Sequence, residues 1–406
     1  NVVQHELLKH MAQGSKTNLA IDSLCVVGDE DQSIYSWRGA TVTNIMNFHQ
    51  DFAETKLIKI EQNYRSVQPI LAVANHVISH NNNRNPKNLW SERPGANCIY
   101  SITCLSDNQE AEAVAHLIKC LHKQSAHASI ALLYRAHHQS RCLEEALVHY
   151  GIPYKILGGV QFYERKEIKD MLAYLRLVLN PFDRPSFFRI INYPARGLGA
   201  AFEDLFYERW HAEPFLTFTQ VAEKLIADGT VTGAKKTALK QFVSIFAGIT
   251  AHEKPSILLN HFLKATDYHD ALEKAYDPNE AQERSANIKE LANAMSYGEQ
   301  QGTTPDLAAF LEDVALMQEK NSRNDTHNPV LLMTLHAAKG LEFDTVVISG
   351  LEEGLLPTSR SLIDQDALEE ERRLFYVGIT RAKERLLLTH CRYRYTFGQM
   401  NDQRGS

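Results

Sequence analysis

Residues 98–157 read CIYSITCLSDNQEAEAVAHLIKCLHKQSAHASIALLYRAHHQSRCLEEALVHYGIPYKIL, and their texture alternates. Apolar runs at 99–104, 130–134 and 154–157 have the length of strands, while 108–123 and 139–150 space their apolar residues as helices do. Strands alternating with amphipathic helices predict a mostly parallel sheet covered by helices, an α/β fold. The texture returns after Asn328, with strands expected at 330–335, 345–349 and 385–389 and a helix at 368–382. Between about 164 and 328 strand-like runs nearly vanish. Helical patterns crowd that segment instead, at 167–179, 239–251, 255–266, 288–297 and 307–319. One α/β domain interrupted by an all-helical insertion is the simplest organisation. Ahead of residue 98 the pattern predicts helices at 2–12, 41–52 and 67–79, short strands at 23–28 and 57–60, and a polar asparagine-rich loop at 81–88 with no assigned chemistry.

A chain of 406 residues, 44% hydrophobic and 23% charged, can bury two or three cores, which excludes disorder as its main theme. The net charge of −6 argues against a generally basic coat but leaves room for a local basic groove. No run of about eighteen apolar residues and no charged-then-apolar leader is present, so a cytoplasmic location is expected. The six cysteines lack CxxC pairs and histidines at zinc spacing; they are expected to be reduced core residues, with no metal site. The chain starts without Met and stops at Arg404-Gly405-Ser406 with no closing element, which reads as a piece of something longer.

Two chemistries are suggested by the residues themselves. A phosphate-splitting site needs charged donors, a polar group to orient water and a surface for base and ribose. Gln32 follows a turn in VVGDEDQSIYSWRGA (26–40); Arg65 and Tyr64 lie in EQNYRS (61–66), and Arg381 lies in GITRAK (378–383). Glu342, in TLHAAKGLEF (334–343), offers a carboxylate for a ribose hydroxyl. Single-stranded nucleic acid needs aromatic platforms beside polar and basic groups. Tyr35 and Trp37 alternate across Ser36 with Arg38 next, so an extended backbone would point both rings to one side. Thr334 and His336 suit a phosphodiester backbone, and Gly158-Gly159 and Arg196-Gly197-Leu198-Gly199 suit close backbone approach. Residues 369–373, EEERR, read as a solvated helix face. No GxxxxGK[ST] occurs, and Asp29-Glu30-Asp31 is the nearest approach to a magnesium-binding carboxylate pair.

Seven stretches together resemble, in order and spacing, the UvrD/Rep/PcrA group of superfamily 1 DNA helicases. They are GDEDQSIYSWRGA (28–40), EQNYRS (61–66), ALLYRAHHQSRCLEEAL (131–147), IPYKILGGVQFYERKEIKDMLAYLRLVLNP (152–181), INYPARGLG (191–199), TLHAAKGLEFDTVVISGLEEGLLP (334–357) and EEERRLFYVGITRAKERL (369–386). The resemblance implies ATP-driven 3′ to 5′ translocation on single-stranded DNA, with unwinding at single-strand/duplex junctions and Mg²⁺ as the nucleotide's companion. It implies two RecA-like motor domains of the P-loop NTPase fold: the tail of the first at 1–62, the second at 63–163 and 327–406, and a helical insertion at 164–326.

By matching motifs, Gln32 would sense the γ-phosphate, Tyr64 would stack on adenine and Glu342 would hold the ribose. Arg65 and Arg381 would be the arginine fingers. Tyr35, Trp37, Arg38, Arg135, His137, Gly158, Gly159, Thr334 and His336 would line the DNA track, and Arg196, Gly197 and Gly199 would touch the duplex. His137 departs from the family, which has asparagine at that place. The family's phosphate loop and magnesium motif are expected upstream of Asn1, which would leave this chain alone without ATPase activity. The alternatives are a truncated homologue acting as a DNA- or partner-binding module, and a helicase–nuclease motor of the AddA/RecB type, which the lack of a nuclease-like cluster after Leu386 disfavours. Repair or replication proteins are the expected partners.

Overall fold

The computed structural model describes residues 2–13, 24–52, 55–125, 127–322, 328–396 and 399–406. The chain divides into two compact units: Asn1–Gly159 with Thr326–Tyr393 and Asp402–Ser406, and Val160–Asp325 with Arg394–Asn401. The first unit is α/β. Its strands are β1 (Ile99–Ser106), β2 (Ile130–Tyr134), β3 (Tyr154–Ile156), β4 (Val330–Thr334), β5 (Phe343–Ile348) and β6 (Ala382–Thr396, of which Arg394 onward falls in the second unit), ordered β1-β6-β5-β2-β4-β3; β7 (Gln399–Asp402), which begins in the second unit, pairs with β6. The five pairings along that path are parallel. Such strands are covered on both faces, which is why β2, Ile-Ala-Leu-Leu-Tyr, is buried at every position. This is the expected α/β class, a RecA-like parallel sheet with helices.

Helices α1 (Val2–Gln13), α2 (Thr43–Met46), α3 (Phe48–Asp51), α4 (Gln68–Ile78), α5 (Asp107–Gln124) and α6 (Ser140–His149) precede the second unit. Of the later helices, α16 (Gln365–Ile379) presents Leu374, Val377 and Ile379 to the sheet and shares a core with Ile70 and Ala74 of α4, Leu133 of β2 and Ile348 of β5.

The second unit is helical: α7 (Lys166–Leu179), α8 (Arg184–Ile190), α9 (Ala200–Ala212), α10 (Phe218–Ala227), α11 (Gly233–Ser244), α12 (Pro255–Ala265), α13 (Tyr268–Ala275), α14 (Pro278–Gln301) and α15 (Leu307–Ser322). Its core is aromatic. Phe187 stacks on Phe206 at 4.3 Å and meets Trp210 edge-on at 5.3 Å, and the Trp210 indole donates to the Leu216 carbonyl at 2.8 Å. Among the described residues no helix is long and apolar enough to cross a membrane.

Several expectations need correction. Residues 24–28 and 57–60 are not strands, and Ser23 lies outside the described residues. Val27 is 85% exposed and Ile60 76% exposed. An isolated apolar run has no ladder to complete its backbone hydrogen bonds, and among the described residues none of these positions pairs with a strand. The helix expected at 239–251 is α11, which begins at Gly233 and ends at Ser244. Ala382 opens β6 rather than closing a helix. The run 41–52 makes two short helices. Of the six cysteines, all free, Cys25 is exposed and Cys120 half-buried, so only four belong to a core.

Residues 369–373 are not a solvated face, because Glu369, Glu371 and Arg373 are buried. Glu369 accepts the Asn82 amide at 2.9 Å and the Arg373 guanidinium at 3.0 Å. These carboxylates serve loops that sequence spacing alone could not bring to the helix.

The fit of α16 against the sheet leaves no room for a side chain at Gly378, where an added Cβ would lie 2.5 Å from Leu335 Cδ2 and 3.0 Å from Ile348 Cδ1. Gly378→Ala is therefore expected to destabilise the α/β unit by about 1–3 kcal/mol, measured by urea denaturation, despite alanine's better helix propensity. A stabilised variant would show that α16 packs differently.

Candidate nucleotide and nucleic-acid site

Parallel strands present their termini in two rows, and the candidate residues fall into both. In register, Tyr134 of β2 pairs with Thr334 of β4, and Ile156 of β3 with Leu332 of β4. The residues that follow these carboxyl ends therefore gather: Arg135 and His137 after β2, Gly158 and Gly159 after β3, His336 after β4. A Cβ on Gly159 would lie 2.9 Å from the His137 ring, and one on Gly158, whose φ is +75°, would lie 3.4 Å from Ala337 Cβ. Close approach of backbone is what glycine permits at both places. Thr334 is buried, and its hydroxyl accepts the Ala337 amide at 3.3 Å. Arg135 is bound by Glu371, with Nη2 to Oε1 at 2.8 Å. Burial, with Arg135 nearby, pushes the His336 imidazole down to about 4, so it is neutral at physiological pH.

Phe343 of β5 pairs with Ala382 of β6, which sets the preceding residues Glu342 and Arg381 side by side at the amino-terminal row. Arg65 completes this group. Its Nε donates to Glu342 Oε2 at 2.6 Å and its Nη1 to the Thr380 carbonyl at 3.4 Å. Lys383 reaches the other Glu342 oxygen at 3.0 Å, and hydrogen bonds from Arg65 and Lys383 hold that carboxyl down at about 2. Arg381 is buried, and its three hydrogen bonds go to uncharged oxygens: Val377 O, Leu341 O and Thr380 Oγ1. Burial, then repulsion from Arg65, lowers its pKa to about 10. Tyr64 stands 77% exposed beside them, its hydroxyl donating to Gln62 at 2.8 Å.

Residues 335–342 run from the carboxyl end of β4 to the amino end of β5, so they cross the sheet from one row to the other. Residues 29–37 lie along them. The Tyr35 hydroxyl donates to the His336 carbonyl at 3.2 Å, and Lys339 Nζ donates to the Gln32 carbonyl at 2.8 Å while standing 5.2 Å from the Tyr35 ring centre. Tyr35 and Trp37 do not sit on an extended backbone, because Ser36–Arg38 forms a 3₁₀ turn closed by Gly39 at φ +79°. The turn still keeps the two rings together, at 6.4 Å and 57°, with His336 6.1 Å from Tyr35 and Trp37 58% exposed. Glu370 fixes the turn by accepting both the amide and the hydroxyl of Ser36. The side chain of Arg38 lies outside the described residues.

In the helical unit, Arg196 points inward. Its guanidinium donates to the Ile190 carbonyl at 2.7 Å and the Tyr174 hydroxyl at 2.8 Å and stacks 5.3 Å from Phe242. That leaves the exposed Gly197, at φ +73°, and the half-buried Gly199 as the parts of this loop able to approach a ligand.

Sequence reasoning left Lys339, Glu370, Arg84 and Lys87 without a role. Lys339 and Glu370 lay inside quoted motifs; Arg84 and Lys87 act across separations of 53 or more residues, which no local pattern reveals. Arg84 binds both oxygens of Asp31, and Lys87 lies within 3.1 Å of oxygens on Asp29, Glu30 and Asp31. Residues 29–31 consequently do not fit a divalent cation, since two cationic side chains already neutralise them. A second buried set, Glu110, Glu352 and Cys391, has potential ligand atoms within 4.8 Å of one another. Its oxygens are engaged by the backbone amides of Gly350 and Cys391 and by Thr389, as a loop anchor would require. The Arg65–Glu342–Arg381 group does fit a nucleotide: two neighbouring cations, one with only neutral hydrogen-bond partners, stand beside an exposed ring and an ionised carboxylate.

The chain is similar to known proteins along most of its length. Residues 58–393 match the UvrD-like helicase C-terminal domain, and residues 1–53 match the UvrD/REP helicase N-terminal domain. The chain is 43% identical over 412 residues to ATP-dependent DNA helicase PcrA of Bacillus subtilis, covering 99% of this chain and 54% of that protein. It is 39% identical over 425 residues to ATP-dependent DNA helicase UvrD1 of Mycobacterium leprae (98% and 54%), and 39% identical over 381 residues to DNA helicase II of Escherichia coli (92% and 53%). The chain spans about half the length of the curated relatives it matches. On the extent of the C-terminal-domain match, the chain belongs to the UvrD-like DNA helicase family.

Proposed function

We propose that this chain is the C-terminal portion of an ATP-dependent DNA helicase that moves 3′ to 5′ on single-stranded DNA and opens duplex at junctions. The observation that carries the reading is the contact of residues 29–37 with residues 336–339. One short segment holds both the candidate phosphate sensor and the candidate base platform, and it lies on the crossover between the sheet's two rows. In this reading residues 1–62 are the tail of one motor domain, 63–163 and 327–406 form a second, and 164–326 are its helical insertion.

ATP, accompanied by Mg²⁺, would be held by Tyr64 on adenine, Glu342 on the ribose and Gln32, Arg65 and Arg381 toward the phosphates; it supplies the phosphoryl group that passes to water. The two arginines supply charge where the transferred group gains it, and the hydrogen-bond partners of Arg381 are neutral, so none of them forms an ion pair with it. The rings of Tyr35 and Trp37 offer stacking worth about 1–3 kcal/mol per base. His336, neutral and half-buried, offers a hydrogen bond rather than a charge to the strand. Nothing in these residues resembles a glycine-rich phosphate loop, so hydrolysis draws on groups beyond them.

Three measurements test this. The purified 406-residue chain is expected to show no ATPase above background with single-stranded DNA, and Mg²⁺-dependent turnover would show that its own residues suffice. In the intact helicase Arg381→Ala should lower kcat by roughly 10²–10³ with single-strand affinity changed less than about twofold; equal loss of DNA binding would reject the phosphate role. The His336 pKa of about 4 lies below its ordinary 6.5, so the neutral form stabilises the fold. That stability is complete above pH 6.5 and is lost as pH falls through 4. The urea midpoint should therefore drop over this interval more steeply than in His336→Gln; parallel slopes would place His336 in solvent.

A further inference from the structure

Glu30 and Asp31 are buried, and Asp29 is half-buried beside them. Three adjacent carboxylates in such a place require cations, and one loop supplies two. Lys87 Nζ lies 2.8 Å from Asp29 Oδ1, 3.1 Å from Glu30 Oε1 and 2.9 Å from Asp31 Oδ2. Arg84 grips Asp31 at 3.0 and 2.8 Å. Burial opposes the charge on Lys87, but Asp29 and Asp31 outweigh it and hold the ammonium above its ordinary pKa.

Asp29 has a second task. Its Oδ1 also accepts the Asp31 amide at 3.1 Å, which starts the 3₁₀ turn Glu30–Gln32, and its Oδ2 accepts the Gln32 side-chain amide at 2.5 Å. Lys87 and Gln32 thus occupy the two oxygens of one carboxylate. With one N–H of Gln32 fixed on Asp29, the other N–H and the carbonyl of that amide are left for a phosphate oxygen and a water. Without the ammonium, Asp29 would face Glu30 and Asp31 with a single arginine between them, and repulsion would turn the carboxylate that aims Gln32.

We propose that Lys87 is a positioning residue for ATP hydrolysis: through Asp29 it sets the direction of the Gln32 amide, and so ties the loop at 81–88 to the nucleotide. The proposal rests on the reading of Gln32 as the γ-phosphate contact.

The test is a double-mutant cycle in the intact helicase, with single-strand-stimulated ATPase measured for Lys87→Gln, Gln32→Ala and the pair. Lys87→Gln should lower kcat about tenfold or more with KM for ATP within about twofold, and should cost less than about twofold more when Gln32 is already alanine. Lys87→Arg, which keeps the charge, should restore most of the rate. Losses that multiply in the double variant would overturn the proposal, since a residue that only holds the fold acts independently of Gln32. Should circular dichroism show Lys87→Gln unfolded, Asp29→Asn takes its place in the cycle, because Lys87 then keeps Glu30 and Asp31, and the same non-additivity is expected. A Gln32→Ala variant with normal turnover would sink the phosphate reading and the proposal together; an impaired Gln32→Ala with multiplying losses would sink the proposal alone.

Discussion

A guanidinium in a protein interior needs acceptors and a negative potential, and Arg381 obtains both from its position. It lies two residues past the end of α16, where the last carbonyls of a helix lack partners and the helix dipole is negative. Val377 O takes its Nε at 3.1 Å, and Leu341 O, from the crossover before β5, takes Nη1 at 3.2 Å. With Thr380 Oγ1 these partners take three of its five N–H groups, and none of them carries a charge. Burial and Arg65 depress the pKa only to about 10, so the side chain stays cationic at neutral pH. The cation is placed by α16, and α16 is placed by the close contact of Gly378 with Leu335 and Ile348. Sheet packing, helix end and buried charge are one constraint.

The crossover at 335–342 follows from the same sheet. A parallel arrangement obliges the chain to return from the end of β4 to the start of β5, and eight residues, reaching at most about 26 Å, suffice for strands this short. Such a segment cannot wander. Its own Leu335 and Ala338 are buried, which leaves His336 at one end, Glu342 at the other and Lys339 between them, facing residues 32 and 35. Bonds from Ala338 N to Thr334 O, Lys339 N to His336 O and Leu341 N to Ala338 O coil the segment into turns, a packed element of the kind through which two sites can be coupled.

What the sequence made legible was what local pattern controls. The parallel sheet could be read because β1, β2 and β4 carry their own apolar runs, and the motifs at 28–40, 61–66 and 334–343 placed the candidate residues in groups that the fold brings together. What it hid depends on partners. Val26-Val27 and Leu57-Ile58 look like strands because their composition is that of strands, yet a strand exists only through its neighbour. Glu369 to Arg373 looked like a solvated helix face because charge at helical spacing usually is one, whereas here Glu369 and Glu371 bind Asn82 and Arg135. Tyr35 and Trp37 were paired by alternation, but a 3₁₀ turn brings them together by a different geometry.

The two rows of the sheet differ in how they treat charge. On the amino-terminal row Arg381 has only neutral hydrogen-bond partners, and Arg65 and Lys383 share one carboxylate, Glu342. Positive potential remains there for an anion. On the carboxyl-terminal row Arg135 is spent on Glu371 and His336 is neutral. Among the described residues, what that row offers a nucleic acid is chiefly ring faces and close backbone. A chain of net charge −6 can then serve both proposed ligands, because a buried cation stands where phosphate would be split, while the described residues where bases would slide offer mainly ring faces. A strand held mainly by stacking can be released and regripped at each step, whereas one held by buried ion pairs would have to break them.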